Sequence, residues 1–258
     1  MEHFCGLDIG SRSIELVVMN GSEIAQRAAL PTTHNPSAQL RILLENAERC
    51  RALCVTGYGR KLAVQELGCS AISEITAYAR GARRVLSAVR GIIDIGGQDT
   101  KIISISEEGA VTRFEMNDRC AAGTGRFLEV MALSFQMPIE DLGKYALQGA
   151  PGITINSMCT VFAESEVTSL KARGAVPQDV AYAIHESAAK RTLAMLERVG
   201  AQPPVMFAGG VARNECIVKL LTGGVKGEVY VPDHPEYIGA LGAALIAEER
   251  WEKQAAGT

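Results

Sequence analysis

Apolar residues along this chain repeat with two periods, and the switches between them predict the order of elements. Short apolar runs broken by turn residues predict strands at Phe4–Ile9, at Ile14–Met19 after GSRS, and at Glu23–Leu30 after Asn20-Gly21, a dipeptide suited to a two-residue hairpin. After a loop at 31–36, Leu40, Leu43, Leu44 and Ala47 recur at helical spacing and predict a helix over Ala38–Arg49. A strand over Ala52–Thr56 follows, closed by the GYG loop at Gly57–Gly59, and two helical stretches lie within 60–86.

The opening pattern then returns. GIIDIGGQDTKIISI reads strand, glycine-rich turn, strand, beginning at Gly91–Ile95. A turn at Glu107–Gly109 and a strand over Ala110–Met116 come next. Asp8-Ile9-Gly10 matches Asp94-Ile95-Gly96 at a separation of 94 − 8 = 86 positions, and each copy begins a hairpin of similar length. The repeat predicts two related halves, each an antiparallel hairpin extended by parallel strands and helices. Further on, the pattern predicts a helix after Cys120, a short one near Pro138–Ala146, one after Cys159 stopped by Gly174, and a long one over Pro177–Val199. A strand over Pro203–Ala208 ends in Gly209-Gly210, a helix starts near Ala212, and a strand covers Glu228–Val231. The small residues of Tyr237–Trp251 predict a helix packed tightly through Gly239, Ala240, Gly242 and Ala243.

With 258 residues, 47% of them hydrophobic, the chain can bury a substantial core as one large or two modest domains. A net charge of −3 without a Lys/Arg run makes nucleic acid an unexpected partner. No apolar run approaches the roughly 20 residues that span a bilayer, and MEHFCGLDIG has no basic region leading into an apolar stretch. Neither a membrane span nor a secretory signal is expected, and a cytoplasmic setting follows. Seven cysteines in such a setting are buried, metal-binding or redox-active rather than disulfide-bonded. No CxxC occurs, which argues against a single-chain zinc ribbon. Cys5, Cys50, Cys54, Cys69 and Cys216 fall in or beside apolar stretches and read as core thiols.

Cys120 and Cys159 differ from these five. NDRCAAGTGRFLEVMA puts Cys120 in a polar, glycine-bearing loop before a helical pattern through Phe127, Leu128, Met131 and Phe135. INSMCTVFAESEV puts Cys159 just ahead of a run through Phe162, Val167 and Leu170. Each is expected at or just before a helix start, where unpaired N–H groups and the dipole favour an anion by roughly 0.3–1 kcal/mol.

Three further stretches suit phosphates. Asp8–Ser11 and Asp94–Asp99 each set an aspartate at a strand end beside glycines whose backbone can approach a phosphate closely. Such aspartates can hold Mg²⁺ through water. FAGGVARN at Phe207–Asn214 again ends a strand in a glycine pair before a helix, suiting close passage of an adenosine. One DxG alone is an ordinary strand-to-turn sequence; the three together predict nucleotide binding.

The three-part pattern resembles the actin, Hsp70 and sugar-kinase superfamily. DIGGQDTK, MNDRCAAGTGRFLEVMA, SMCTVFAESEV and FAGGVARN are similar to the ATPase activators of 2-hydroxyacyl-CoA dehydratases and the related ATPase subunits of benzoyl-CoA reductase. The resemblance covers nearly the whole chain. It implies an α/β fold, a duplicated actin-like (ribonuclease H-like) ATPase of two domains with mixed sheets flanked by helices. The first would span residues 1–88 with 236–258, and the second, 89–235, would carry the cluster cysteines.

It implies one [4Fe–4S] cluster per homodimer, held by Cys120 and Cys159 of each subunit. An ATP-driven transfer of one electron, received from flavodoxin or ferredoxin, would go to an iron–sulfur partner of the 2-hydroxyacyl-CoA dehydratase type. In these terms Asp8, Asp94, Gln98 and Glu164 are the catalytic candidates, with Asp8 and Asp94 handling Mg²⁺ and water. The ATP/ADP-binding candidates are Gly10, Ser11, Arg12, Ser13, Gly96, Gly97, Gln98, Asp99, Gly123, Thr124, Gly209, Gly210 and Asn214.

Some positions depart from the family. Arg12 and Glu15 stand in a loop that usually continues with small hydroxyl residues and a lysine, and Ala77 and Tyr78 stand where many relatives have Cys-His. These leave the acceptor open among a dehydratase, an aryl-CoA reductase and a double-cubane cluster protein. Two readings of other classes are a small-metabolite kinase of the same fold, which would need neither cysteine motif, and a nucleotide sensor or filament subunit without iron.

Overall fold

The computed structural model describes residues 2–45, 47, 50–157 and 159–256. Each half is built on a hairpin that pairs on one side with a third strand and on the other with parallel strands. In the first, β1 (His3–Ile9), β2 (Ser13–Asn20) and β3 (Glu23–Pro31) are followed by α1 (Pro36–Glu45), β4 (Cys50–Gly57), α2 (Arg60–Leu67), β5 (Ser70–Ala71) and α3 (Glu74–Val85). The sheet order is β3-β2-β1-β4-β5, with β1 antiparallel to β2 and parallel to β4.

The second half repeats this plan. It has β6 (Gly91–Ile95), β7 (Thr100–Ile105) and β8 (Val111–Asn117), then α4 (Gly125–Ser134), α5 (Ile139–Ala146), α6 (Thr160–Ala172) and α7 (Pro177–Val199). After these come β9 (Val205–Ala208), a 3₁₀ turn at Gly210–Arg213, α8 (Glu215–Gly224) and β10 (Val229–Tyr230). Its sheet order is β10-β9-β6-β7-β8, with β6 antiparallel to β7 and parallel to β9. The helix α9 (Ile238–Ala256) closes the chain.

The chain divides into two compact units: Met1–Val89 with Ile105–Val111 and Glu236–Thr258, and Arg90–Ser104 with Thr112–Pro235. In the first, strand alternation fixes which face of β1 meets which helix. Cys5, Leu7 and Ile9 join Leu40 and Leu43 of α1 in one core, while Phe4 joins Ala240, Ala243 and Ala244 of α9 in another. Asp8 shares the α9 face with Phe4 and Gly6, and this register brings a carboxylate to the start of α9. The expected small-residue packing is present. A methyl added at Gly242 would overlap the Ala77 carbonyl oxygen of α3, and one at Gly6 would overlap the backbone of α9. Ala77, the departure noted above, is thus the close contact of Gly242.

In the second unit, Ile93, Ile95 and Ile102 of the sheet meet Phe127, Met131, Val167, Ile184 and Phe207 in a core.

Three expectations are revised. The helix after Cys120 begins only at Gly125, because Gly123 adopts φ +88° and holds the chain in a turn first. The helix predicted to end at Arg49 ends at Glu45, and Arg49 itself lies outside the described residues. Cys5 and Cys50, expected as separate core thiols, form a disulfide with Cα atoms 5.9 Å apart, while Cys54, Cys69 and Cys216 are free. Parallel pairing of β1 with β4 brings the two together, a contact that linear pattern does not reveal.

Candidate functional site

The two DxG turns close in the same way. Gly10 N–H donates to the Ser13 carbonyl at 3.0 Å, and Gly96 N–H donates to the Asp99 carbonyl at 3.0 Å, so the same four-residue turn links each strand pair. In the first, Thr32 donates its hydroxyl to the Gly10 carbonyl and its N–H to the Arg12 carbonyl, both at 2.9 Å, fixing the loop from β3 outward. Ser11 and Ser13 are half-buried and Arg12 is exposed. Asp8 is buried at strand register opposite Glu15, also buried. The Asp8 carboxylate lies against Gly239, where any side chain would overlap it, and the Tyr78 ring closes the same spot.

In the second turn Asp94 stands opposite Lys101. All three charged residues there are buried, and Lys101 Nζ reaches Asp94 Oδ2 at 3.1 Å and Asp99 Oδ2 at 2.7 Å. Gly96 and Gly97 are half-buried and Gln98 is exposed. The third loop abuts this one. Gly209, at φ +83°, has no room for a side chain beside Asp94 Oδ1 and the Ile95 carbonyl. Its N–H donates to the Pro235 carbonyl at 2.9 Å, and Gly210 opens the 3₁₀ turn behind it.

The Asn214 side chain is already engaged within the protein. Its oxygen caps α8 by accepting the Ile217 N–H at 3.0 Å, and its nitrogen lies 3.0 Å from His185 Nε2. His185 Nδ1 lies 2.7 Å from the Ala181 carbonyl, so the proton belongs on Nδ1 and Nε2 accepts from Asn214. Burial drives this imidazole down from 6.5 to about 4, against the opposing Ala181 bond, and keeps it neutral. Spacing alone did not single out His185.

The cysteine segment connects directly to the second turn. Asn117 grips Cys120 from both sides, donating Nδ2–H to its carbonyl at 2.9 Å and accepting its N–H at 3.3 Å. Thr100 donates to the Gly123 carbonyl at 3.3 Å, and buried Thr124 turns its hydroxyl back to the Ala121 carbonyl at 2.6 Å. The first two N–H groups of α4, on Gly125 and Arg126, donate to the Gly96 and Gly97 carbonyls at 2.9 and 2.8 Å. These helix-end donors are therefore occupied by the glycine turn. Cys120, five positions ahead of α4 and exposed, sits in the loop; it is not the cap of the helix.

Cys159, also exposed, is the N-cap of α6. α6 packs on α4, and Lys171 in its last turn donates to the Ser134 carbonyl at 2.8 Å. Glu164 is exposed. Glu166, unnoticed in the sequence, instead accepts the N–H groups of Asn156 and Ser157 at 3.2 and 3.0 Å. Burial would raise its carboxyl, but these bonds outweigh it and hold it below the usual range.

Among the described residues no three His, Cys, Asp or Glu side chains gather to hold a metal ion. Two exposed thiols on neighbouring segments suit half of a four-thiolate cluster. The Arg191 Nη1 donor, buried without a hydrogen-bond partner among the described residues, suits a negatively charged group nearby.

Paired hairpin sheets with matching aspartate–glycine turns define the class, a duplicated actin-like ATPase. The family is narrower: the chain belongs to the BadF/BadG/BcrA/BcrD ATPase family, whose model matches residues 5–247. It is 41% identical over 258 residues to the 2-hydroxyisocaproyl-CoA dehydratase activator of Clostridioides difficile, covering 96% of each chain. It is 38% identical over 256 residues to the (R)-2-hydroxyglutaryl-CoA dehydratase activating ATPase of Acidaminococcus fermentans, covering 96% of this chain and 98% of that one. Among solved structures, the Clostridium difficile activator with bound ADPNP superposes with a TM-score of 0.90 at 38% identity, covering 99% of this chain and 98% of that one.

Proposed function

We propose that this chain is the ATP-dependent activator of a 2-hydroxyacyl-CoA dehydratase-type iron–sulfur protein, and that it delivers one electron to that partner at the expense of ATP. The observation that carries the reading is the pair of hydrogen bonds from Gly125 and Arg126 to Gly96 and Gly97. They join the glycine turn at Gly96-Gly97 to the start of α4, the helix that follows the Cys120 loop. A ligand that favours one arrangement of the turn then biases the cysteine segment as well, which is what coupling requires.

In this reading the aspartates Asp8 and Asp94 orient Mg²⁺ and the attacking water. Ser11, Gly96, Gly97 and Gln98 face phosphate oxygens, and Gly209 and Gly210 allow the nucleoside to pass close to the backbone. Lys101, 3.1 Å from Asp94 Oδ2, holds that carboxylate in place. Asn214 contributes by holding the third loop in shape. Cys120 and Cys159 of two subunits supply four thiolates about a two-fold axis. Bound there, a [4Fe–4S] cluster would supply a one-electron carrier. Flavodoxin or ferredoxin is the expected donor, and the similarity to dehydratase activators favours a dehydratase as acceptor.

The test is iron and acid-labile sulfide per dimer in protein purified without oxygen, beside a Cys120→Ser, Cys159→Ser variant. About four of each in the wild type and none in the variant is the expected result. Colourless, iron-free wild-type protein that still hydrolyses ATP would overturn the redox reading.

A further inference from the structure

Arg191 reaches both cysteine segments at once. It lies half-buried along α7, and its Nη2 donates to the Ser157 carbonyl at 2.9 Å, two positions before Cys159. Its guanidinium stands 5.9 Å from the centre of the Phe127 ring, in the first turn of α4. From the other side, the Glu166 carboxylate of α6 accepts the N–H groups of Asn156 and Ser157. The backbone at Ser157 is thus held at its N–H by a carboxylate and at its C=O by a guanidinium, both charge-assisted bonds.

The support behind this clamp is stiff. α7 is 23 residues long and lies in the core of its unit. Six positions before Arg191, about 9 Å along the helix, His185 ties α7 to Asn214 and the third glycine loop. The opposite end of the α4–α6 pair is tied by Lys171, so Arg191 completes the join at the end where the cysteines stand.

We propose that Arg191 is a positioning residue for the cysteine pair: through the Ser157 carbonyl and the face of Phe127 it fixes the Cys159 loop against the Cys120 segment. The positioning holds whether or not the thiols carry a cluster; its value to the protein rests on the function proposed above. A planar, two-pronged guanidinium can bond a carbonyl and stack on a ring together, which a lysine ammonium cannot.

The test is amide hydrogen exchange, followed by mass spectrometry, on iron-free reduced protein. Wild type, Arg191→Gln and Arg191→Lys are compared. Peptides covering 155–160 are expected to exchange roughly tenfold faster in Arg191→Gln, with Arg191→Lys in between, as fits loss of one charge-assisted hydrogen bond. Peptides of β9 and α8 should be unchanged. Rates at 155–160 within about twofold of wild type in both variants would overturn the proposal. If Arg191→Gln loosens β9 and α8 as well, Arg191→Lys decides: faster exchange confined to 155–160 supports the positioning role, and none there rejects it. Iron-free wild type from an oxygen-free preparation alongside accelerated exchange would sink the cluster reading alone. Iron-loaded wild type with unaltered exchange would sink the positioning alone.

Discussion

At the scale of single residues, the two copies of the aspartate turn have drifted apart in charge. Asp8 stands opposite Glu15, and Asp94 stands opposite Lys101, at equivalent register. The lysine missing from the first copy is present in the second, where it bridges two buried carboxylates. Removing one partner from a buried ionic group leaves uncompensated charge, so Lys101→Met should cost about 3–5 kcal/mol in urea unfolding. A loss below about 1 kcal/mol would show that the bridge is not holding the turn.

His185 offers a second residue-scale prediction. Its folded value of about 4 lies below the ordinary 6.5, so the unfolded chain takes up the proton first as pH falls. Stability is intact above 6.5, declines as pH drops toward about 4, and loses no more from this group below that. The full contribution is about 3 kcal/mol, and His185→Gln, which still offers Asn214 an acceptor, should flatten that part of the pH–stability curve. An unchanged slope between pH 4 and 6.5 in the variant would contradict the assignment.

At the scale of elements, most strands and helices were legible because each carries a clean period bounded by glycine or proline. The repeat was legible because its turns keep both residue type and spacing. The small-residue pattern of α9 was legible too, and it leads to a prediction. Gly242→Ala must push α9 away from the Ala77 carbonyl, so a loss of about 1–3 kcal/mol in thermal or denaturant unfolding is expected. An unaltered melting curve would mean that the helix pair shifts freely. The gap between Cys120 and its helix was not legible. A helical pattern identifies the run through Phe127 and Met131 but does not show that Gly123 delays the first turn, or that the glycine loop takes its first N–H groups. Glu166 and Arg191 escaped notice because a carboxylate or guanidinium on a helix looks solvent-facing until the loop it holds is in place.

At the scale of the whole molecule, the α/β actin-like class and the family both followed from motifs, since the fold repeats its own signature. What linear pattern could not supply is which residues meet across long separations: Cys5 with Cys50, His185 with Asn214, Arg191 with Ser157. Each joins segments of different elements, where neither period nor spacing speaks. The double-cysteine variant named above is also expected to retain its far-ultraviolet circular dichroism, because both thiols are exposed and neither packs in the core. Loss of that signal would assign the cysteines a part in folding.

The matched turns also bear on how this chain can vary over time. In each, a glycine N–H meets the carbonyl three positions on, and the strands leave with a shared pleat. Adding or deleting one position there would invert every following side chain, turning core methyls outward and the aspartate's neighbours inward. Substitution is therefore tolerated where a change of length is not. Alignments of distant members should show exchanged residues such as Arg12 or Glu15 but no gaps across 8–15 or 94–101. A working homologue with an insertion in either window would have had to re-register a whole sheet.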